Sequence, residues 1–269
     1  MRRWAWPTMG SYASLAVPDA ATDGQEAAAE LAVRRERRWF DTVEAALSPY
    51  RADSDLCRWR EGELALDDAS PLLLEVMTDV AELTRITRGG FNPTDRLKRF
   101  DPSGYVKGWS IQHSVRSLLA AGFADVCLGV GGDLQMVGHS QGGRPWRAAV
   151  VDPAGPRRVL AVVEQPDDGR AFAGATSGSA ERGDHIWGGL GPQRPHWDSE
   201  GLAAVTVVGP DLGRVDAFAT AIWALAKDQS LDQAWSWLAG TGCEALAVTS
   251  SGDVRTTPGM GAHLVRAAA

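Results

Sequence analysis

Three stretches, "ADVCLGVGGDLQMVG" at 124 to 138, "PWRAAVVDP" at 145 to 153 and "RVLAVVEQP" at 158 to 166, follow one another with no helical pattern between them. Each reads as a strand. A parallel partner would need a crossover of about a dozen residues or more, usually a helix, so strands this closely spaced favour antiparallel pairing. Amphipathic helical patterns lie before and after this block. The expected fold is therefore α+β, with antiparallel sheet packed against helices in one domain over residues 1–269, an arrangement compatible with two interleaved lobes.

Residues 9 to 17, "MGSYASLAV", alternate as a strand, and the spacing of Phe40, Val43 and Leu47 predicts a helix from Gln25 to Leu47, stopped at "SPY". Ser70 and Pro71 mark the start of a second helix that ends at Gly89 and Gly90. The stretch "GGFNPTDRLKRFDPSG" is too rich in turn formers to be regular and reads as a loop. "VKGWSIQHSVRSLLAAG" is helical. "GATSGSAERGDHI" at 174 to 186 and "GGLGPQRPHWDSE" at 188 to 200 read as loops, "LAAVTVVGP" as a strand, "RVDAFATAIWALAK" and "LDQAWSWLAG" as helices, and "CEALAVTSSGDVRTT" as a hairpin.

A net charge of -7 argues against general nucleic-acid binding, which needs a basic face to displace counterions. The cluster "RRERR" at 34 to 38 reads as a solvated helix face. Cys57, Cys127 and Cys243 are odd in number and far apart, suggesting neither a disulfide framework nor a CxxC metal site. Proline, threonine and glycine interrupt the start "MRRWAWPTMGSYASLAV", so no export segment or membrane anchor is read there and the expected location is the cytoplasm.

Asp216 and Thr220 in "VDAFAT" are four apart, on one helix face. A carboxylate and a hydroxyl stacked that way are hard oxygen ligands suited to Mg²⁺. On the residues alone the plainer reading is favoured, an aspartate capping a helix start and a threonine bonding back to its own helix. Lys107 in "DPSGYVKGW" is one of three lysines in a chain that otherwise uses arginine. With a helix beginning near Gly104, free N–H groups and the Lys107 charge would favour an anion, or the lysine simply faces solvent. "GVGGDLQMVG" has the spacing of neither GxGxxG nor GxxxxGK[ST], and reads as a tight hairpin. His185 shares a loop with two hydroxyls, but no GxSxG elbow accompanies them.

In this order, "MGSYASLAV", "LSPYRADSDLCRW", "GGFNPT", "DPSGYVKGW", "GVGGDLQMVG" with "PWRAAVVDP", "ATSG" with "HI", and "DAFAT" resemble the ApbE family of FAD:protein FMN transferases over nearly the whole chain. The resemblance implies that FAD is the substrate, that FMN passes to a Thr or Ser hydroxyl of an acceptor flavoprotein, and that AMP leaves. It also implies Mg²⁺ held by Asp216, Thr220 and the Gly104 carbonyl, with FAD contacts from Met9, Tyr50, Phe91, Asn92, Asp101, Lys107 and Ile186. His185 is the candidate general base, with Asp216 second.

This sequence departs from the family pattern at Asn92, where aspartate is usual, and after Ile186, where "WGGLGPQRPHW" replaces an Asp-Pro turn. Two other readings stand beside it: a Mg²⁺-dependent FAD pyrophosphatase, using the same residues with water in place of the acceptor, and a non-catalytic protein that binds or delivers FAD and would be indifferent to Asp216→Ala. "AGAT" at 173 to 176 lacks the upstream hydroxyl of an acceptor motif, so self-flavinylation is not expected.

Overall fold

A computed structural model describes residues 1–19, 26–95, 97–178, 201–228 and 230–265. The chain opens with a hairpin, β1 (Arg2–Thr8) and β2 (Ser11–Val17), of which only the second strand is announced by its pattern. Met9 and Gly10 turn it with φ of 50° and 69°. Two consecutive left-handed residues match the twist of a two-residue hairpin, and methionine takes that conformation at a steric cost.

Helix α1 (Glu26–Leu47) buries Ala29, Val33, Phe40, Val43 and Leu47, the stripe anticipated from its spacing. A short helix, α2 (Asp55–Arg60), follows where the sequence pattern suggests none; Ser54 caps it, accepting from the Cys57 amide at 3.1 Å and donating to the Ser48 carbonyl at 2.7 Å. Helix α3 (Pro71–Ile86) starts as expected, with Ser70 accepting from the Leu72 amide. After the expected loop comes α4 (Ser103–Ala120), which begins one residue before Gly104 and so puts Lys107 at the start of its second turn.

Strands β3 (Val126–Val130) and β4 (Asp133–Val137) are the two arms of a tight hairpin, so the first of the three stretches is two strands. The other two stretches, β5 (Arg147–Asp152) and β6 (Gly155–Glu164), pair with each other as a separate ribbon, and β6 also bridges Leu264 through Val163. Residues assigned to a loop by their small side chains form β7 (Phe172–Gly178), a correction to the expected loop at 174 to 186 over its first five residues; the rest of that loop lies outside the described residues. The small side chains are suited to a strand lying under a closely packed helix. Strand β8 (Leu202–Gly209), α5 (Leu212–Asp228), α6 (Leu231–Leu238) and the hairpin β9 (Glu244–Thr249) and β10 (Val254–Thr256) complete the chain as expected.

Eight strands form one antiparallel sheet in the order β1-β2-β3-β4-β7-β8-β9-β10. The β4–β7 pairing joins the N-terminal four strands to the C-terminal four. One face carries the helices: Leu15, Leu128, Ala173, Ala175, Val205 and Val207 meet the buried sides of α1, α4 and α5. The opposite face, with Met136, Phe172, Val208 and Val248, packs against Trp146, just before β5, and Val163 of the ribbon. Helix α5 lies against α4, β7 and β8, so it is buried on most sides and uses Ala217, Ala219, Ala221 and Ala224 to fit there. Among the described residues no helix is long and apolar enough to cross a membrane, and the three cysteines are free thiols.

Candidate active site

The site grows from the contact between α4 and α5. Asp216 and Thr220 stand one turn apart on α5 and face the start of α4. Glycine makes the approach possible: a Cβ added to Gly108 would lie 2.6 Å from the Leu212 carbonyl oxygen and 2.8 Å from Asp216 Cβ. One added to Gly104 would lie 3.1 Å from Thr220 Oγ1 and 3.4 Å from Phe91 Cε2. The Gly108 N–H donates to Asp216 Oδ2 at 3.0 Å. In an ideal helix that N–H belongs to the carbonyl of Gly104, four residues back, so sharing it with a carboxylate leaves lone-pair capacity on Gly104. Asp216 is only 6% exposed.

These are the three positions expected to carry metal donors, and they come together. A carboxylate, a hydroxyl and a peptide carbonyl are oxygen donors that fit a hard cation. Among the described residues no group of three or more His, Cys, Asp or Glu side chains converges, which leaves this oxygen set as the candidate.

Lys107 does not face solvent. Its Nζ is 2.7 Å from Asp133 Oδ2 at the start of β4, and Asp133 Oδ1 accepts from the Thr176 amide of β7 at 3.1 Å. Next along β7, Ser177 Oγ is 3.3 Å from Thr220 Oγ1. The contacts close a ring through α4, β4, β7 and α5.

The remaining expected contacts differ in burial and partners. Asp101 accepts from the Ser103 amide at 3.0 Å and so caps the first turn of α4, satisfying a donor that the helix leaves free. Phe91 is fully buried under Gly104, where it supports the helix start from below. Asn92 is exposed, its Oδ1 taken by the Thr94 hydroxyl. Met9 is half-buried, its amide donating to Glu44 and its sulfur accepting from Ser110 Oγ at 3.7 Å. Tyr50 is 76% exposed on the loop after α1. His185 and Ile186 lie outside the described residues.

A model of the ApbE family matches residues 95–247. The chain belongs to the ApbE family. The ApbE match begins in the loop before α4 and ends in β9, so it takes in every residue of the ring. The FAD:protein FMN transferase of Rhodobacter capsulatus is 30% identical over 190 residues, covering 70% of this chain and 34% of that protein. The FAD:protein FMN transferase of Vibrio cholerae serotype O1 is 24% identical, covering 66% of this chain and 63% of that protein. The chain thus spans about a third of the first relative and under two thirds of the second.

Solved ApbE structures share the fold along nearly the whole chain. The apo flavinyl transferase ApbE of Pseudomonas stutzeri superposes with a TM-score of 0.73 at 19% identity, covering 98% of this chain and 97% of that one. The flavin transferase ApbE of Vibrio cholerae gives 0.75 at 17% identity, over 98% and 99%. The ApbE protein of Thermotoga maritima gives 0.77 at 15%, again over 98% and 99%. The expected α+β class with antiparallel sheet holds.

Three polar residues of this ApbE chain escape a reading of its sequence: Asp133, Ser177 and Glu44. Asp133 stands in the glycine-rich "GVGGD" turn, whose mismatch to phosphate-loop spacing draws attention to the glycines. Its signal is an aspartate at the first position of a strand, two residues before the polar Gln135 on the same face. Glu36 carries a similar lesson: within "RRERR" the arginines at 34, 35, 37 and 38 are exposed or largely so, whereas Glu36 is buried and accepts from Ser114 and Ser117 of α4.

Proposed function

We propose that the chain is a single flavin transferase domain that moves FMN from FAD to a Thr or Ser hydroxyl of an acceptor protein, with AMP as the leaving product and Mg²⁺ as the metal. The observation that carries this reading is the convergence of Asp216, Thr220 and Gly104 beside Lys107 at the α4–α5 seam. The family and the names of its curated relatives support the same chemistry.

In the balanced step the acceptor oxygen attacks the phosphorus of the FMN half. The bond from that phosphorus to the bridging oxygen breaks, the bridging oxygen departs on AMP, and the hydroxyl proton goes to a general base. Asp216, Thr220 and the Gly104 carbonyl would hold Mg²⁺, which when bound supplies charge neutralisation for the pyrophosphate. Lys107 adds a compact cation, and the start of α4 adds oriented N–H groups. His185 is the candidate base. Asp216 is the second candidate, with its Oδ2 already accepting from the Gly108 N–H. Tyr50, Met9, Asn92, Asp101 and Ile186 would border the dinucleotide.

The test is incubation of the chain with FAD, Mg²⁺ and a co-expressed flavoprotein acceptor, followed by mass spectrometry of the acceptor. An FMN adduct on Thr or Ser, with AMP released, is the expected result. FMN and AMP without an adduct would show a pyrophosphatase, and intact FAD would show a binding protein; either outcome overturns the transferase reading.

A further inference from the structure

We infer that Asp133 is a positioning residue that fixes the Lys107 ammonium for dinucleotide binding, an inference that rests on the function proposed above. A lysine head on a flexible four-carbon stem is a mobile point charge unless something holds it. Asp133 is 1% exposed, and burying a carboxylate is costly unless both oxygens are engaged. Here the two oxygens are engaged separately, Oδ2 by the Lys107 ammonium in a close ion pair at 2.7 Å that is not aligned as a hydrogen bond, and Oδ1 by a hydrogen bond from the Thr176 amide at 3.1 Å. The carboxylate therefore ties the ammonium to the backbone of β7.

The same strand bears Ser177, whose hydroxyl lies 3.3 Å from Thr220 Oγ1, so the cation-side oxygen and the ammonium are both referenced to adjacent residues of one strand. The turn above the ammonium is bare. A Cβ on Gly131, which has a φ of 60°, would stand 3.4 Å from Ser11 Oγ and 3.9 Å from Lys107 Nζ. Those are ordinary contacts, so it is the left-handed φ that disfavours a side chain beside the head group.

The test uses Asp133→Asn, Lys107→Met and the double variant in the full chain. Asparagine keeps the size of the side chain and an acceptor for the Thr176 amide, and removes only the charge that holds Lys107. FAD affinity is read by fluorescence titration with Mg²⁺ present, and folding by thermal unfolding. Each single variant is expected to weaken FAD binding on the order of tenfold, the loss for one charge-assisted contact, with the double variant no weaker than Lys107→Met.

Asp133→Asn binding FAD like the unaltered chain overturns the inference, as does a double variant that loses the product of the two single effects. Should Asp133→Asn fail to fold, Lys107→Met against the double variant decides: equal affinity supports the role and a further loss refutes it. An unaltered chain that binds no FAD overturns the proposed function itself, whereas FAD binding indifferent to Asp133 overturns only this inference.

Discussion

Replacing Gly108 by alanine tests whether the α4–α5 seam is as tight as described. The new Cβ would lie 2.6 Å from the Leu212 carbonyl oxygen and 2.8 Å from Asp216 Cβ, closer than real atoms tolerate, and the first of these is backbone. One helix must therefore move. Overpacking of this kind costs about 1–3 kcal/mol. The Gly108 N–H to Asp216 bond, 3.0 Å and buried, would be stretched or broken, at about 1.5–3 kcal/mol for a charged acceptor. Alanine's better helix propensity returns about 1 kcal/mol. The net loss is about 1.5–5 kcal/mol, a fall in melting temperature on the order of 5–15 °C for a chain of this size.

Gly104→Ala is the control. Its Cβ would meet Thr220 Oγ1 at 3.1 Å and Phe91 Cε2 at 3.4 Å, contacts that yield to small side-chain shifts. It should melt less than half as far below the unaltered chain as Gly108→Ala does, while raising the Mg²⁺ concentration needed for half-maximal FAD turnover. Thermal unfolding by circular dichroism gives the first quantity and a metal titration the second. If Gly108→Ala melted within about 2 °C of the unaltered chain, or Gly104→Ala proved the less stable of the two, the close packing argued from these glycines would be refuted.

Asp216→Asn, which keeps the side chain's shape, should lower FAD cleavage by at least about 100-fold, read as AMP released, and leave the far-ultraviolet spectrum unchanged. Ser54→Ala removes both the α2 cap and the bond to the Ser48 carbonyl, and should cost about 1–3 kcal/mol in urea unfolding. His113 packs between the rings of Trp39 and Trp109, and burial pulls its pKa below 6.5 against the opposing pull of Glu75 and Asp79, with Arg116 adding to the lowering. Its folded pKa lies below the unfolded one, so the unfolded chain binds the proton first. Stability associated with His113 is whole above about pH 6.5 and lost as pH falls toward and through the folded value. His113→Phe should flatten that acid limb in melting temperatures measured from pH 7.5 to 5, and an unchanged limb would refute the assignment.

Where one face of an element is apolar and the other wet, its sequence is legible. The stripe of α1, the Ser70–Pro71 start of α3 and the alternation of β2 all follow from periodicity and capping chemistry. β7 is not legible, because Ala173, Gly174 and Ala175 have low strand preference on their own and are strand only because α5 on one side and β4 and β8 on either edge select them. β1 is hidden for another reason: its pairing is set by the left-handed turn at Met9 and Gly10, and methionine is an uncommon residue for that conformation. Within the site, Asp216, Thr220, Gly104 and Lys107 can be named from spacing and family pattern. Asp133 cannot, since its partners Lys107 and Thr176 are set by tertiary packing that no local pattern encodes.

Helix α4 and helix α5 are separated in the chain by everything from β3 to β8. A ribosome that has finished α4 has made Gly104 and Lys107 but none of the oxygens that face Gly104 from across the seam. The nascent polypeptide should therefore be inert toward flavin until α5 has cleared the exit tunnel, and a fragment ending before Leu212 should stay so however well its first four strands pair. Arrested chains of graded length, probed for FAD fluorescence quenching, should show the property arriving in a single step.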